Sequence, residues 1–101
     1  MENLEKELED KLRVMLARHG GLCLKWVCPG WVGVPDRIIL LPGGVVIFAE
    51  LKRSKTSKAS AMQKWWARRL KGLGFLHLWV KSPGDIDALE RAISARPTVE
   101  D

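Results

Sequence analysis

The chain has 101 residues, which suits one domain with a single hydrophobic core. Hydrophobic residues make up 47% and charged residues 29%, as in ordinary globular proteins, and no apolar run reaches the roughly 18 residues of a membrane-spanning helix. The net charge of +5 suits a polyanionic partner, the two cysteines are too few for a zinc site, and the first residues lack a signal-peptide pattern, so we expect an intracellular, cytoplasmic protein.

Residues 3–19 predict a first helix that ends at a pair of glycines. Its apolar side chains recur at three- and four-residue steps: Leu4, Leu8, Leu12 and Met15. Two glutamates, Glu5 and Glu9, flank this stripe. The ordinary role of such residues is an ion pair one helical turn away, such as Glu9 with Arg13.

Residues 22–28 predict a first strand, and Lys25 is its only charged residue. A lysine in an edge strand discourages pairing with other chains. The loop 29–33 follows, with Trp31 between two glycines. An exposed tryptophan there could stack on a nucleic-acid base or pack at an interface, or the ring could fold back onto the core.

Residues 34–52 predict a β-hairpin, because two β-branched apolar runs flank the turn Pro42-Gly43-Gly44. The start of one strand of a hairpin lies beside the end of its partner, so Asp36 and Glu50 fall at the same end. Strand residues two positions apart share a face, so Glu50 and Lys52 project together.

Two adjacent carboxylates and a lysine at one strand end form a candidate catalytic cluster. Neighbouring carboxylates repel unless a cation lies between them, and an all-oxygen ligand set suits Mg²⁺ or Mn²⁺. The Lys52 ammonium could orient a water or stabilise charge on a phosphate. The alternative is a surface ion pair between Glu50 and Lys52. The strand before them is apolar on both faces, and charges at the end of a covered strand are costly without a purpose, which favours a site.

A basic linker follows the hairpin. Its cations alternate with serines and a threonine: Arg53, Lys55 and Lys58. The run is either a solvated connection or a phosphate-binding loop, because lysine and hydroxyl side chains both bond phosphate oxygens.

Residues 60–72 predict a second helix that starts with a capping box, with Ser60 as N-cap and Gln63 reaching back. Capping is the role that this position alone predicts for Gln63. The predicted buried stripe consists of Met62, Trp66, Leu70 and Leu73. Arg68 lies on the basic outer face with two lysines.

Residues 75–81 predict the last strand, in which His77 has no partner at metal-ligand spacing. Ser82, Pro83 and Asp85 predict the start of a third helix, and residues 96–101 a frayed tail. The order α-β-β-β-α-β-α predicts a single α/β domain, residues 1–101, in which helices flank a mixed sheet.

The motifs resemble those of the PD-(D/E)XK nuclease superfamily, and more narrowly those of the VRR-NUC (virus-type replication-repair nuclease) family. The resemblance rests on four segments in this order: Gly33-Val34-Pro35-Asp36-Arg37, Leu41-Pro42-Gly43-Gly44, Glu50-Leu51-Lys52 and Gln63. It implies a restriction-endonuclease-like core and Mg²⁺- or Mn²⁺-dependent hydrolysis of DNA phosphodiester bonds.

The resemblance also implies roles for single residues. Metal ligands would be Asp36, Glu50, the backbone carbonyl of Leu51 and a glutamate of the first helix, for which Glu9 is the match and Glu5 the second candidate. Lys52 would orient or activate the attacking water, and Gln63 would lie in the active site. DNA phosphates would be contacted by Lys25, Arg53, Lys55, Lys58 and Arg68.

Two questions of function stay open at this level. Many family members carry basic residues where this chain has Trp31 and Val32, so a DNA-binding or scaffolding module without catalysis is an alternative. An RNA substrate is a further alternative, because phosphate contacts carry no sequence information. The resemblance suggests a homodimer that acts on branched or four-way junction DNA in viral replication or repair. Five tryptophans are more than one small core needs, which fits a dimer, whereas a monomer would pack them inside.

Overall fold

A computed structural model describes residues 4–54 and 56–96 of the chain. Its elements are, in chain order, α1 (Leu4–Arg18), β1 (Leu22–Lys25), β2 (Arg37–Leu41), β3 (Val45–Leu51), α2 (Ala61–Gly72), β4 (Leu76–Val80) and α3 (Pro83–Ser94). The predicted α/β class and the order α-β-β-β-α-β-α are confirmed. Lys55 and the predicted tail beyond residue 96 lie outside the described residues.

The four strands form one mixed sheet in the order β1-β2-β3-β4. The first three strands are antiparallel and β4 runs parallel to β3, so β3 is central. At the hairpin turn Gly43 and Gly44 have φ values of 86° and 76°, a conformation that glycine adopts without strain. The register pairs Arg37 with Ala49, which sets Asp36 beside Glu50 as the sequence predicts.

The first strand ends earlier than predicted, at Lys25 instead of Cys28. Trp26 still donates its backbone N–H to the Asp36 carbonyl at 2.9 Å. The Cys28 carbonyl instead accepts the backbone N–H of Trp31 at 3.2 Å, so the chain has left the ladder for a turn by that residue.

One face of the sheet carries the hydrophobic core, against α1 and α3. The buried cluster consists of Leu8, Leu12, Met15, Leu16, Ile39, Leu41, Ile47, Ala49, Leu51, Val80, Ile86 and Leu89. The predicted stripe of α1 is confirmed except for Leu4, which is exposed. Because Ala49 and Leu51 point into this core, Glu50 projects from the opposite face.

The opposite face is covered only in part, because α2 packs on β4. The predicted stripe of α2 is therefore wrong in part: Leu70 is buried, together with Ala67, whereas Met62 and Leu73 are exposed and Trp66 is half-buried. The Trp66 indole N–H donates to the Val32 carbonyl at 3.0 Å, which ties the loop before β2 to the helix. Within the described ranges, no helix has the length and apolar character needed to cross a bilayer.

Candidate active site

Asp36 stands directly before β2 and holds the hairpin end together. Its Oδ1 accepts the backbone N–H of Leu51 at 3.2 Å, and an Arg37 guanidinium nitrogen lies 3.8 Å from the same oxygen. Burial raises the pKa of the Asp36 carboxyl, although the Leu51 N–H and the Arg37 charge act in the opposite direction. The hydrogen bond fixes this carboxylate beside the Glu50-Leu51 peptide.

Glu50 is a buried carboxyl group at the end of the central strand, with 4% of its surface exposed. Its Oε1 accepts a hydrogen bond from the Gln63 amide nitrogen at 3.2 Å. Its Oε2 is buried without a partner among the described residues. Burial, followed by the negative charge of Asp36, raises the pKa of Glu50 to about 7. The charged form is therefore poorly compensated by the protein alone.

Lys52 lies on the same face as Glu50, as the hairpin pattern predicts. Its Nζ donates to the Gln63 Oε1 at 2.7 Å and lies 5.8 Å from the centroid of the Trp79 ring. The contact between Lys52 and Glu50 runs through the Gln63 amide, in place of the surface ion pair considered from the sequence. A lysine has three N–H donors, so this bond leaves Lys52 able to donate to a bound molecule.

Gln63 caps α2 and also contacts both Lys52 and Glu50. The capping box is present: Ser60 donates its backbone N–H to Gln63 Oε1 at 2.9 Å, and Ser60 Oγ accepts the Gln63 N–H at 3.1 Å. The same amide oxygen accepts from Lys52 while the amide nitrogen donates to Glu50. The amide oxygen of Gln63 faces two N–H donors and its nitrogen faces a carboxylate. Only one orientation of the amide therefore satisfies all three contacts.

Glu9, the predicted ligand from the first helix, pairs with two arginines in this structure. Its Oε2 accepts from the Arg37 guanidinium at 2.8 Å, and its Oε1 lies 3.8 Å from Arg13. Arg37 is only 5% exposed, and a buried guanidinium needs a carboxylate partner, which Glu9 supplies. In the described part of the chain, no group of three or more His, Cys, Asp or Glu side chains is placed to hold a metal ion.

Glu5 is the helix carboxylate whose charge acts on the cluster. Its negative charge helps to raise the pKa of both Asp36 and Glu50. It lies one helical turn before Glu9, and a spacing of four residues keeps both on one side of the helix. From the sequence Glu5 is the second candidate, because the periodicity alone does not decide between two glutamates one turn apart.

The donor chemistry of this cluster fits a hard divalent cation. Two carboxyl groups with raised pKa values lie side by side, a third negative charge acts on both, and one buried carboxylate oxygen lacks a partner among the described residues. A bound cation would satisfy that oxygen and relieve the repulsion.

The predicted DNA-contacting residues are spread over the surface. Lys25 is exposed at the end of the edge strand β1, and Arg53 and Lys58 are exposed after β3. Arg68 is exposed on α2 beside Trp65, away from the linker. Lys55 lies outside the described residues.

Lys58 lines a cavity of about 450 Å³ together with Lys64, Trp79 and Lys81 and with the linker residues Thr56, Ser57 and Ala59. No local pattern in the sequence predicts this grouping. It depends on the parallel pairing of β4 with β3, a long-range contact that periodicity cannot reveal.

Comparison with known proteins supports the assignment of the fold. No protein-family model matches the chain. A solved structure described as a "VRR_NUC domain" superposes with a TM-score of 0.84 and 27% sequence identity, over 89% of this chain and 97% of that one. The chain therefore has the fold of a VRR-NUC domain.

A curated protein is similar to one half of this chain. The protein is named "Putative nuclease p44", from Acyrthosiphon pisum secondary endosymbiont phage 1, and is 43% identical over 51 residues. The match covers 50% of this chain and 50% of that protein, so the domain spans about half the length of this relative.

Proposed function

We propose that this domain is a metal-dependent nuclease that hydrolyses DNA phosphodiester bonds. The observation that carries the proposal is the linked cluster at the end of the hairpin, where one Gln63 amide joins Glu50 to Lys52 and Asp36 bonds to the backbone between them. The likeness to a VRR-NUC domain and to a protein named as a nuclease supports the same chemistry.

Mg²⁺ or Mn²⁺ would be held by Asp36 and Glu50, with the Leu51 carbonyl and a glutamate of α1 as further oxygen ligands. The charge effects favour Glu5 for the last role, because Glu9 is engaged by Arg37. When bound, the metal supplies a more acidic water and positive charge for the phosphate oxygens.

Lys52 positions the attacking water or stabilises negative charge on the phosphate. Gln63 holds the ammonium next to Glu50 and thereby fixes its direction. The cluster formed by Asp36, Glu50, Lys52 and Gln63 contains no serine, cysteine or histidine, so water attacks the phosphorus directly, without a covalent intermediate.

The substrate in this proposal is branched DNA, such as a four-way junction met in viral replication or repair, and the active form is a homodimer. Each chain carries one such cluster, and cutting both strands near a junction requires two. The part of the sheet that α2 leaves open exposes Leu22 and Leu24 on β1, with Val27 following. A second copy that covers these side chains would remove them from water.

The test is a cleavage panel of labelled duplex, single-stranded DNA, single-stranded RNA, flap, fork and four-way junction. Each substrate is incubated with Mg²⁺, Mn²⁺ or EDTA and with wild type, Asp36→Ala or Asp87→Ala. Asp87 is the matched control, an α3 carboxylate whose ion pair with Lys11 lies outside the cluster. We expect cleavage only with metal, best on branched DNA, and lost in Asp36→Ala but not in Asp87→Ala.

The second candidate is a DNA-binding or scaffolding module without catalysis. It is favoured by the loop before β2, where Trp31 and Val32 are 62% and 75% exposed and occupy positions that are basic in many VRR-NUC proteins. Tight binding to the panel with no cleavage in either metal would support this candidate over a nuclease.

A further inference from the structure

We infer that the cavity beside the catalytic cluster, lined by Lys58, Lys64, Trp79 and Lys81, is a subsite for one unpaired nucleotide of the DNA strand that is cut. The cavity has a volume of about 450 Å³, within the usual range for small-molecule sites. The inference rests on the proposed nuclease function and specifies the substrate at that same site.

The cavity and the catalytic cluster are neighbours in the sheet, and Lys52 of the cluster lies near Trp79 of the cavity wall. In the β3–β4 register Trp79 is the partner of Glu50, so both side chains project from one face. The Lys52 Nζ that bonds to Gln63 lies 5.8 Å from the centroid of the Trp79 ring. A nucleotide in the cavity would therefore be close to a phosphate at the cluster.

The lining of the cavity is suited to phosphate. Among the described residues, its charged lining consists of the three lysines, and the hydroxyl groups of Thr56 and Ser57 add to the polar part of the wall. Within residues 4–54 and 56–96, no carboxylate forms a salt bridge with Lys58, Lys64 or Lys81. Lysine and hydroxyl side chains are common partners of phosphate oxygens in protein–DNA contacts.

Trp79 gives the cavity a surface for a base. The ring is half-buried and is held in place by His77, whose ring centroid lies 4.9 Å away at an interplanar angle of 63°. A fixed aromatic ring beside cationic groups is the usual platform for a base of single-stranded nucleic acid. Bases inside a duplex are stacked on both faces, so only an unpaired nucleotide can use the ring, which would make this subsite a source of structure selectivity.

The test separates base stacking from phosphate contact. A fluorescent duplex with a three-thymidine tail is compared with the same duplex carrying three abasic residues, which keep the phosphates and remove the bases. Affinities are measured by anisotropy in EDTA, so that no cleavage occurs. Stacking of one base predicts that wild type binds the thymidine tail about five- to 150-fold more tightly than the abasic tail.

The variants then locate the effect. Trp79→Leu should bind both tails equally, and Trp79→Phe should keep part of the difference. Trp65→Leu, which removes another partly exposed tryptophan outside the cavity, should discriminate as wild type does. Replacing Lys58, Lys64 and Lys81 by alanine should lower the log–log salt slope by about 0.7 for each phosphate that the protein no longer neutralises, while Lys71→Ala should not change it.

Two results would overturn the subsite: equal affinity of wild type for both tails, or undiminished discrimination in Trp79→Leu. If Trp79→Leu fails to fold by circular dichroism, the wild-type comparison and Trp79→Phe decide. The binding readout is independent of turnover. Tighter binding of the thymidine tail without any cleavage would therefore refute the nuclease function and support the subsite. Metal-dependent cleavage with equal binding of both tails would support the nuclease function and refute the subsite.

Discussion

A single amide, that of Gln63, connects the start of α2 to the charged groups at the end of β3. It accepts from Ser60 and Lys52 and donates to Glu50, so helix capping and the geometry of the cluster depend on one another. The negative charges of Asp36 and Glu50 are not fully compensated by the protein. Burial raises the pKa of both carboxyl groups. These residue-scale features lead to two predictions about pH and stability.

The first concerns the metal-free protein and Glu50→Gln. The folded-state pKa of Glu50, about 7, lies above the unfolded value of 4.5, so its contribution to stability is full below pH 4.5 and is lost as the pH rises through 7. Urea unfolding in EDTA should show wild type losing roughly 1–3 kcal/mol between pH 5 and pH 8. Glu50→Gln should lack this loss, whereas Glu7→Gln, which alters an exposed carboxylate of α1, should follow wild type.

The second prediction concerns His77, whose side chain is 5% exposed and whose two ring nitrogens lack partners among the described residues. Burial, then the charge of Lys71, lowers the pKa of His77, so folding opposes its protonation. Stability is therefore lost as the pH falls below the unfolded value of 6.5. His77→Phe should be more stable than wild type, with the larger gain at pH 5 than at pH 8 in thermal melts. A stability gain of the same size at both pH values would contradict the assigned burial.

At the scale of elements, the loop before β2 packs closely against the first turn of α2. This approach is possible because Gly33 has no side chain. Its φ is +84°, and a Cβ added there would lie 2.5 Å from the Met62 Cβ and 3.0 Å from the Gln63 backbone nitrogen. The close approach places the segment Val34-Pro35-Asp36 near Gln63, which contacts both Glu50 and Lys52. A larger residue would push the two elements apart.

We therefore predict that Gly33→Ala impairs both folding and cleavage. The backbone conformation alone costs roughly 1–3 kcal/mol for a non-glycine residue, and the clash with α2 adds to it. Gly30→Ala is a matched control, since Gly30 has φ +87° but open space around its Cβ position. Denaturant unfolding and a cleavage assay should show a larger loss for Gly33→Ala in both. Equal losses would mean that the contact with Met62 is unimportant.

The elements also show which parts of this site can be predicted from sequence. The hairpin was predictable, because local alternation and the turn fix its register and bring Asp36, Glu50 and Lys52 together. The contact between Glu9 and Arg37 was not predictable, because the helix period does not separate Glu9 from Glu5 and the burial of Arg37 has no local signature. The prediction of which α2 residues are buried was wrong in part. How much of the sheet α2 covers depends on the order of the strands, which the helix period does not reveal.

For the whole molecule, the apolar groups that α2 leaves uncovered lead to a prediction about assembly. Leu22 and Leu24 are 57% and 46% exposed on the edge strand, and we propose that a second copy covers them. Light scattering at micromolar concentration should give twice the mass of one chain, and Leu24→Lys should return it to a monomer. Val14→Lys, a change at a similarly exposed apolar residue of α1, should stay a dimer. A monomeric wild type with no preference for four-way junctions would refute the dimer.

The measurement that tests the central claim most directly is cleavage of a labelled four-way junction by wild type and by Glu50→Gln in parallel, with Mn²⁺ or EDTA. Gln has an NH₂ group in place of one carboxylate oxygen and nearly the same volume, so circular dichroism should show an intact fold. The substitution removes the negative charge of a proposed metal ligand. We predict cleavage by wild type only with Mn²⁺, and none by folded Glu50→Gln. Cleavage by Glu50→Gln at the wild-type rate, or by wild type in EDTA, would contradict the assigned site.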